Sequence, residues 1–290
     1  MQIGVSSYSY SRLVRSGAMK QIDVIGAAKE AGFDVIEFST IQVPEGQTLP
    51  TYAQALREEA RRVDIPIANY TIGADFLNGS AGDLAAEIAR VKKEVDIAEI
   101  LGAPGMRHDA TGGYVAGHVG AKGFDDALPR LAEGCRAVTE YAATKGVRTM
   151  VENHGYFCQD SIRVEKLMNA VGHANFGALI DMGNFYCADE DAGEAVGRLA
   201  RYAFHAHAKD FHIKSGSSFH PGEGWFISRG GNFLRGAIIG HGDVPLLQAL
   251  RALKRTGYDG VLSIEFEGME DVLNSLRIGL VNLRRLVATA

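Results

Sequence analysis

The sequence has few cysteines and no long apolar run, and both features narrow the class of protein. Its three cysteines, Cys135, Cys158 and Cys187, contain no C-x-x-C spacing. An odd number without that spacing argues against a disulfide framework and favours a reducing compartment. No stretch reaches the length of a membrane span, and the first strand-like residues follow neither a basic nor a long apolar leader. We therefore expect a cytoplasmic protein with no membrane partner.

The chain also lacks runs of like charge. Its 30 lysine and arginine residues are scattered among 35 acidic residues, which gives a formal net charge of -5 over 290 residues. Nucleic acid binding needs a concentrated positive patch, so a nucleic acid partner is not expected. The first predicted strand is not followed by G-x-G-x-x-G, and G-x-x-x-x-G-K-[ST] does not occur. Two common signals for binding dinucleotides and nucleotide phosphates are therefore missing.

What the sequence does contain is a regular alternation of short apolar runs with segments of helical period. Each run is rich in β-branched residues and predicts a strand, and each segment after it predicts a helix. The eight predicted pairs are 2–9 with 22–31, 35–39 with 52–63, 65–72 with 84–101, 105–110 with 128–145, 147–154 with 161–171, 177–182 with 192–202, 203–211 with 244–256, and 261–267 with 272–287.

Glycines separate several predicted helices from the next strand. Gly32 and Gly102 are examples, and a left-handed cap at such positions suits a helix that leads into a parallel strand. Eight strand–helix units in roughly 250 residues or more are typical of a (β/α)8 (TIM) barrel, an α/β fold. We predict one such domain over residues 1–290, and a doubly wound open sheet is the alternative that counting leaves open.

Residues of the kind that bind metals lie near the C-terminal ends of the last four predicted strands. They are Glu152, Asp181, His207 and Glu265. In a barrel these ends meet at the face that carries the active site, and charged groups buried there need partners. Any one of them alone could be a salt-bridge partner, so the prediction depends on the set. Three carboxylates and one imidazole suit Mn2+, our first choice, or Mg2+ or Co2+, with Zn2+ as a further candidate.

Neighbouring residues are candidates for proton transfer and substrate binding. Side chains alternate along a strand, so His154 shares the inward direction of Glu152, and Lys209 shares that of His207. An imidazole titrates near neutrality, so we predict His154 as the general acid/base, alongside Glu152 and Glu265 as catalytic residues. The alternative for His154 is a hydrogen bond to a ligand residue. We predict that Lys209 binds and orients substrate.

The segment 212–243 is too long for an ordinary connection between a strand and a helix, and it is rich in glycine. We interpret it as a lid or binding loop; a surface excursion or an oligomer contact is the alternative. Its Trp225 and Arg229 are predicted to bind substrate. Glu37 and His108 end two earlier strands. They either complete the pocket, where His108 would bind substrate, or serve the structure alone.

In these residues the chain resembles the xylose-isomerase-like barrel superfamily over essentially its whole length. The motifs that carry the resemblance are Glu152, Asp181, H-x-H-x-K-D at 205–210, G-H-G-D-V at 240–244, and Glu265. The superfamily includes sugar isomerases, ketose 3-epimerases, inosose dehydratases and the endonuclease IV group. The resemblance implies that the four residues predicted above as ligands bind the metal, and that one of the two histidines at 205 and 207 supports the other.

Two segments are similar to a narrower family. They are V-E-N-H-G at 151–155 and S-I-E-F-E-G-M-E-D at 263–271, and they resemble the catalytic alpha subunit of C-glycoside deglycosidases, which act on 3-oxo-glycosides with a small β-sandwich partner. Asn184 stands where ketose 3-epimerases have a histidine, which puts that substrate contact in doubt. Only His108 fits an additional metal site of endonuclease IV, so a DNA repair function is not expected.

The residues together predict a metal-dependent sugar isomerase or epimerase of carbohydrate metabolism, which removes a proton adjacent to a carbonyl of a sugar or keto-sugar. A bound divalent cation would acidify that C–H bond. The sequence does not choose among isomerisation, epimerisation and elimination, so a lyase acting on a 3-oxo-glycoside is an alternative, and so is a barrel that binds sugar without turnover. The expected partners are a small sugar or glycoside and either a second copy of the chain or a small β-sandwich subunit.

Overall fold

The computed structural model describes residues 1–290. The strands are β1 (Gln2–Ser6), β2 (Val35–Ser39), β3 (Ile67–Ile72), β4 (Gly105–His108), β5 (Arg148–Glu152), β6 (Phe176–Asp181), β7 (Ala203–Ala208), β8 (Asp210–Lys214), β9 (Phe226–Ile227), β10 (Phe233–Ala237) and β11 (Val261–Ile264). The helices are α1 (Ser11–Arg15), α2 (Asp23–Ala31), α3 (Leu49–Arg62), α4 (Leu84–Leu101), α5 (Phe124–Thr144), α6 (Ser161–Val171), α7 (Ala192–Leu199), α8 (Leu246–Arg255) and α9 (Val272–Thr289).

Eight of the strands are parallel and close into a barrel. Their order around it is β1, β11, β7, β6, β5, β4, β3 and β2, and β2 pairs with β1 to complete the ring. A closed parallel sheet has no free edge, and the connecting helices cover its outer surface. The (β/α)8 barrel predicted from the sequence is therefore confirmed.

The boundaries follow from local chemistry. Helix α2 ends where Gly32 takes a left-handed φ of 92°, and α4 ends in the same way at Gly102, with φ 73°. Helix α6 begins after Asp160, whose carboxylate accepts the backbone N–H of Arg163. Such caps satisfy terminal backbone groups that would otherwise lack partners. Glycine caps thus end α2 and α4 before the following strands, and an aspartate cap fixes the start of α6.

Apolar side chains from the strands and the inner helix faces form one continuous core of 71 buried residues. Each buried Leu, Ile, Val or Phe contributes about 1.5–3 kcal/mol relative to exposure, so this core supplies the main stabilisation. None of the helices combines the length and apolarity that crossing a bilayer requires.

The seventh unit differs from the prediction. The predicted strand 203–211 is broken at Lys209 into β7 and β8, and the predicted loop 212–243 contains much of a three-stranded antiparallel sheet in the order β8, β10, β9. The carboxylate of Asp210 accepts the backbone N–H groups of Gly240, Gly242 and Val244. These bonds turn the chain out of the barrel directly after Lys209 and bring it back before α8.

Candidate metal centre and active site

The four predicted ligand residues meet at the C-terminal mouth of the barrel. Glu152 and Asp181 end β5 and β6, His207 lies in β7, and Glu265 follows β11. One potential ligand atom of each lies within 4.8 Å of those of the others. Nδ1 of His207 is 3.6 Å from Asp181 Oδ2, and it is 3.8 Å from both Glu152 Oε1 and Glu265 Oε2. Four elements that are distant in sequence therefore direct their donor atoms toward one point.

In Glu152 and Asp181, the carboxylate oxygen that does not face the common point is bound by another group of the protein. Oε2 of Glu152 lies 2.6 Å from Nη2 of Arg107. Oδ1 of Asp181 accepts the backbone N–H groups of Gly183, at 2.8 Å, and Asn184, at 3.0 Å. This leaves one carboxylate oxygen of each directed at the centre, and such outer contacts orient ligands for a metal.

The donor set fits a divalent cation. His207 Nδ1 is buried without a hydrogen-bond partner, although three carboxylate oxygens lie opposite it. Burial raises the pKa of Glu152, and the attraction of Arg107 offsets only part of that effect. Carboxylates buried side by side repel one another, and a cation between them removes that cost. Glu152, Asp181, His207 and Glu265 could therefore hold a hard or borderline metal ion.

Lys209 supplies a positive charge beside this cluster. Its Nζ lies 2.7 Å from Glu265 Oε2, 3.1 Å from Asp181 Oδ2 and 3.0 Å from Asn184 Oδ1. Burial alone would lower the pKa of Lys209, but the neighbouring carboxylates raise it well above its ordinary value. For Asp181, burial raises the pKa, but the Lys209 ammonium, His207 and the backbone N–H of Asn184 together lower it more, to about 2. The predicted substrate-binding lysine thus lies at the cavity floor and is fully charged.

The mouth of the barrel contains a cavity that Lys209 and His154 both line. Half of the His154 side chain is exposed. Its Nδ1 donates a hydrogen bond to Asp109 Oδ1 at 2.9 Å, and Asp109 also pairs with Arg107 at 2.8 Å. Burial lowers the pKa of His154, but the Asp109 hydrogen bond together with the negative charges of Asp109 and Glu152 outweighs burial, and the net shift is upward. With Nδ1 fixed as the donor, Nε2 is the ring nitrogen available to a substrate.

The cavity has a volume of about 740 Å3. Charged and amide groups form its floor, and the aromatic side chains Tyr8, Tyr156 and Phe226 line it as well. Tyr156 has a left-handed φ of 64°, which is unusual for a bulky residue, and its hydroxyl donates to the Ile227 carbonyl. A strained aromatic at a cavity wall commonly has a functional reason.

Three predicted substrate contacts do not line this cavity. His108 is fully buried, and its ring packs against Phe76 and Phe176. Trp225 packs against Lys214 and Arg235, two cationic side chains of the insertion formed by residues 212–243. Arg229 bonds Asp160 Oδ2 at 2.9 Å. The three side chains contact other groups of the protein instead of the cavity, and their substrate roles stay predictions.

The physical reason is different in each case. Residues alternate in direction along β4, so His108 faces away from the cavity that its two neighbours line. In the insertion, Phe226 rather than the adjacent Trp225 lines the cavity. The guanidinium of Arg229 is directed to the loop that follows β5, since it also donates to the carbonyl of Tyr156. Composition alone could not distinguish these orientations.

Several cavity residues were not assigned from the sequence. They are Arg107, Asp109, Asn184, Tyr8 and Glu267. Alternation along β4 could have identified the first two, because an arginine two residues before an aspartate places both on one face. Asn184 Nδ2 donates to Glu152 Oε1 at 2.9 Å, so the asparagine at the histidine position of ketose 3-epimerases contacts a ligand residue.

Below the four candidate metal ligands, the side chain of Glu37 lies between the two histidines of β7. Its Oε1 accepts from His207 Nε2 at 2.6 Å, and its Oε2 lies 2.7 Å from His205 Nε2. All three residues are buried, and none lines the cavity. Glu37 therefore does not complete the pocket wall, and His205 lies beneath the ligands.

Comparison with known proteins agrees with this geometry. Curated inosose dehydratase from Bacillus licheniformis is 26% identical over 167 residues, which are 54% of this chain and 52% of that protein, so the match spans about half the length of each. A crystal structure of D-psicose 3-epimerase in the presence of D-fructose has a TM-score of 0.73 and 16% identity, with 99% of both chains covered. A crystal structure of the IOLI protein with a bound zinc atom has a TM-score of 0.74 and 17% identity, covering 100% of this chain and 99% of that one. The family model for the xylose isomerase-like TIM barrel matches residues 25–285. The chain therefore belongs to the xylose isomerase-like TIM barrel family.

Proposed function

We propose that this protein is a divalent-metal-dependent enzyme that removes a proton next to the carbonyl of a sugar or keto-sugar, as in an isomerase or epimerase. The observation that carries the proposal is the convergence of four donor atoms at the barrel mouth, where Glu152 and Glu265 line one polar cavity together with His154. The names of the relatives, a dehydratase and an epimerase, support the same substrate class. Glu152, Asp181, His207 and Glu265 would hold the metal, with Mn2+ as the first candidate and Zn2+ as the second.

When bound, the cation would polarise a substrate carbonyl and so acidify the adjacent C–H bond. The protein's own groups handle the proton. His154 Nε2 accepts it while Asp109 keeps the imidazole in one orientation. Lys209 donates hydrogen bonds to a substrate oxygen at the floor, where its ammonium already faces two carboxylates. Tyr8 and Phe226 exclude water from one side of the cavity.

Elimination is the second candidate. The relation to inosose dehydratase favours it, and so does the similarity of residues 151–155 and 263–271 to C-glycoside deglycosidases. In that reaction the same proton is removed and a group leaves from the β carbon, so the proposed roles of His154 and the metal ligands stay unchanged. A 3-oxo-glycoside would be the substrate, and a small β-sandwich subunit would be the expected partner.

The test is deuterium incorporation from heavy water into free ketoses, inososes and 3-oxo-glucosides, followed by NMR with Mn2+ and with chelator. Exchange without loss of a group supports isomerase or epimerase chemistry, and release of water or an aglycone supports the lyase. We expect Glu265→Gln to lose both metal and exchange. The proposal would be overturned if the metal-loaded protein caused neither exchange nor release of a group in any of these compounds. Full activity and metal content in Glu265→Gln would overturn it as well.

A further inference from the structure

Glu37 is a completely buried carboxylate near the site, and the proposed chemistry gives it no role. It lies in β2, whereas both of its partners lie in β7, so its side chain crosses the interior of the barrel. Both oxygens contact an imidazole and the side chain is completely inaccessible to solvent. A buried carboxylate is costly unless its partners are fixed, so this one needs a structural or functional reason.

The contact with His207 defines the protonation of that ring. An ionised carboxylate accepts hydrogen bonds and donates none. At 2.6 Å from Glu37 Oε1, Nε2 of His207 must therefore carry a hydrogen, whereas Nε2 of His205 lies 2.7 Å from Glu37 Oε2 and is hydrogen-bonded to Ser263 Oγ. For His207 this leaves Nδ1 as the atom that faces Glu152, Asp181 and Glu265, and it makes no hydrogen bond there.

We infer that Glu37 is a positioning residue that fixes the tautomer and orientation of His207, so that Nδ1 is the atom that binds the metal. The inference rests on the proposed metal centre and adds to it a residue outside the cavity. Carboxylates that hold the second nitrogen of a ligand histidine commonly matter for metal affinity, and their loss costs about 10- to 100-fold.

A glutamine at position 37 would break this arrangement at nearly constant volume. Its amide offers one acceptor oxygen and one NH2 donor in place of two acceptor oxygens, and it carries no charge. If the NH2 group faces His207, Nε2 must pass its hydrogen to Nδ1, which removes the ligand atom. If the oxygen faces His207, the imidazole loses the negative charge that supports it as a ligand. Ser263→Ala is a matched control, because its Oγ lies 3.1 Å from His205 Nε2 in the same buried layer but contacts neither Glu37 nor His207 by a hydrogen bond.

The experiment is calorimetric titration of the full-length, metal-free protein with Mn2+, together with its thermal unfolding. We expect Glu37→Gln to weaken Mn2+ binding by about 10- to 100-fold and Ser263→Ala to bind close to wild type. Wild-type Mn2+ affinity in a folded Glu37→Gln, even with a lower unfolding temperature, would show that Glu37 is a purely structural residue. That result would overturn the inference and leave the proposed metal centre in place. If the wild type binds neither Mn2+ nor Zn2+, the proposed metal centre fails and the inference fails with it.

A second measurement needs no variant. Histidine ring 15N NMR of the Zn2+-loaded wild type distinguishes the two ring nitrogens of His207. We expect Nε2 to carry the hydrogen and Nδ1 to show the shift of a metal-bound nitrogen. The opposite assignment would overturn the inference even if Glu37→Gln failed to fold.

Discussion

Arg107 and Glu152 form a buried ion pair between neighbouring strands, with Nη2 of the arginine 2.6 Å from Oε2 of the glutamate. The same nitrogen lies 2.8 Å from Asp109, which holds the imidazole of His154. One guanidinium thus joins a proposed metal ligand to the partner of the proposed base. Burial would lower the pKa of Arg107, but Asp109 and Glu152 raise it, so the group remains charged.

Replacing Arg107 by methionine should destabilise the protein, because two carboxylates lose their shared cation inside the barrel. Breaking a buried pair costs about 3–5 kcal/mol, and urea unfolding of the metal-free protein measures it. Arg62→Met is the control, since that side chain is largely exposed and pairs with Glu59 on one helix. We expect the control to match wild type within error. Equal stability of the Arg107 variant and wild type would contradict the assigned ion pair.

Mn2+ should stabilise the wild type. A ligand that binds only the folded state at about 100 times its Kd adds about 2.7 kcal/mol to the free energy of unfolding. Asp181→Asn removes one ligand charge, so most of this gain should disappear. Glu267→Gln is the matched control, because Glu267 lines the cavity but does not belong to the four-residue cluster. Chemical unfolding with Mn2+ or with chelator measures the gain, and a full gain in Asp181→Asn would exclude Asp181 as a ligand.

The pH dependence of C–H exchange should reveal the pair of His154 and Asp109. Burial lowers the pKa of His154, but the hydrogen bond and charge of Asp109 with the charge of Glu152 together raise it more, so the net shift is upward. A base must be neutral to accept a proton, so the wild-type rate should rise with pH through this raised pKa.

In Asp109→Asn the raising interaction is lost while burial remains, so the rising limb should move to lower pH. His154→Gln should reduce the rate about 100-fold or more at every pH. Exchange rates from pH 5 to pH 9, measured by NMR with saturating Mn2+, test both variants. A rising limb that stays in place in Asp109→Asn would argue that another group is the base.

Two helical glycines should respond in opposite ways to alanine. A Cβ at Gly134 in α5 would lie 2.5 Å from the Phe76 ring, whereas a Cβ at Gly197 in α7 would meet nothing within 4 Å. Overpacking costs about 1–3 kcal/mol, so Gly134→Ala should destabilise the protein. Gly197→Ala should stabilise it by about 0.5–1 kcal/mol through helix propensity alone. Thermal unfolding of both variants tests the packing of α5, and a stabilised Gly134→Ala would contradict it.

The barrel was predictable because each unit carries its own signal. Period-two and period-3.6 patterns are local, and the glycine caps at Gly32 and Gly102 mark where helices end. The strand that the sequence extends to residue 211 was not predictable in the same way. Its end depends on hydrogen bonds that the backbone N–H groups around Gly242 donate to the Asp210 carboxylate, which no local pattern reveals.

The candidate site was predictable to a similar extent. Glu152 and Asp181 stand at strand ends, and the closed barrel brings such ends together. Arg107 received no role, and Glu37 only a place in the pocket or in the structure, because their partners lie on other strands and only the structure brings those partners near. His108 was predicted to bind substrate as a histidine at a strand end, whereas its ring packs against Phe76 outside the cavity.

The insertion between β7 and α8 leaves the barrel and rejoins it at two points that are hydrogen-bonded to each other. The backbone N–H of Asp243 donates to the carbonyl of Phe211 at 2.7 Å, and the Asp210 carboxylate fastens the returning turn. Because these hydrogen bonds join the two ends of the segment, its length and sequence can change without moving the barrel strands. The segment carries Gly224, Phe226 and Gly236 to the cavity. Substrate preference could therefore diverge by replacement of this one segment while the barrel floor stays the same.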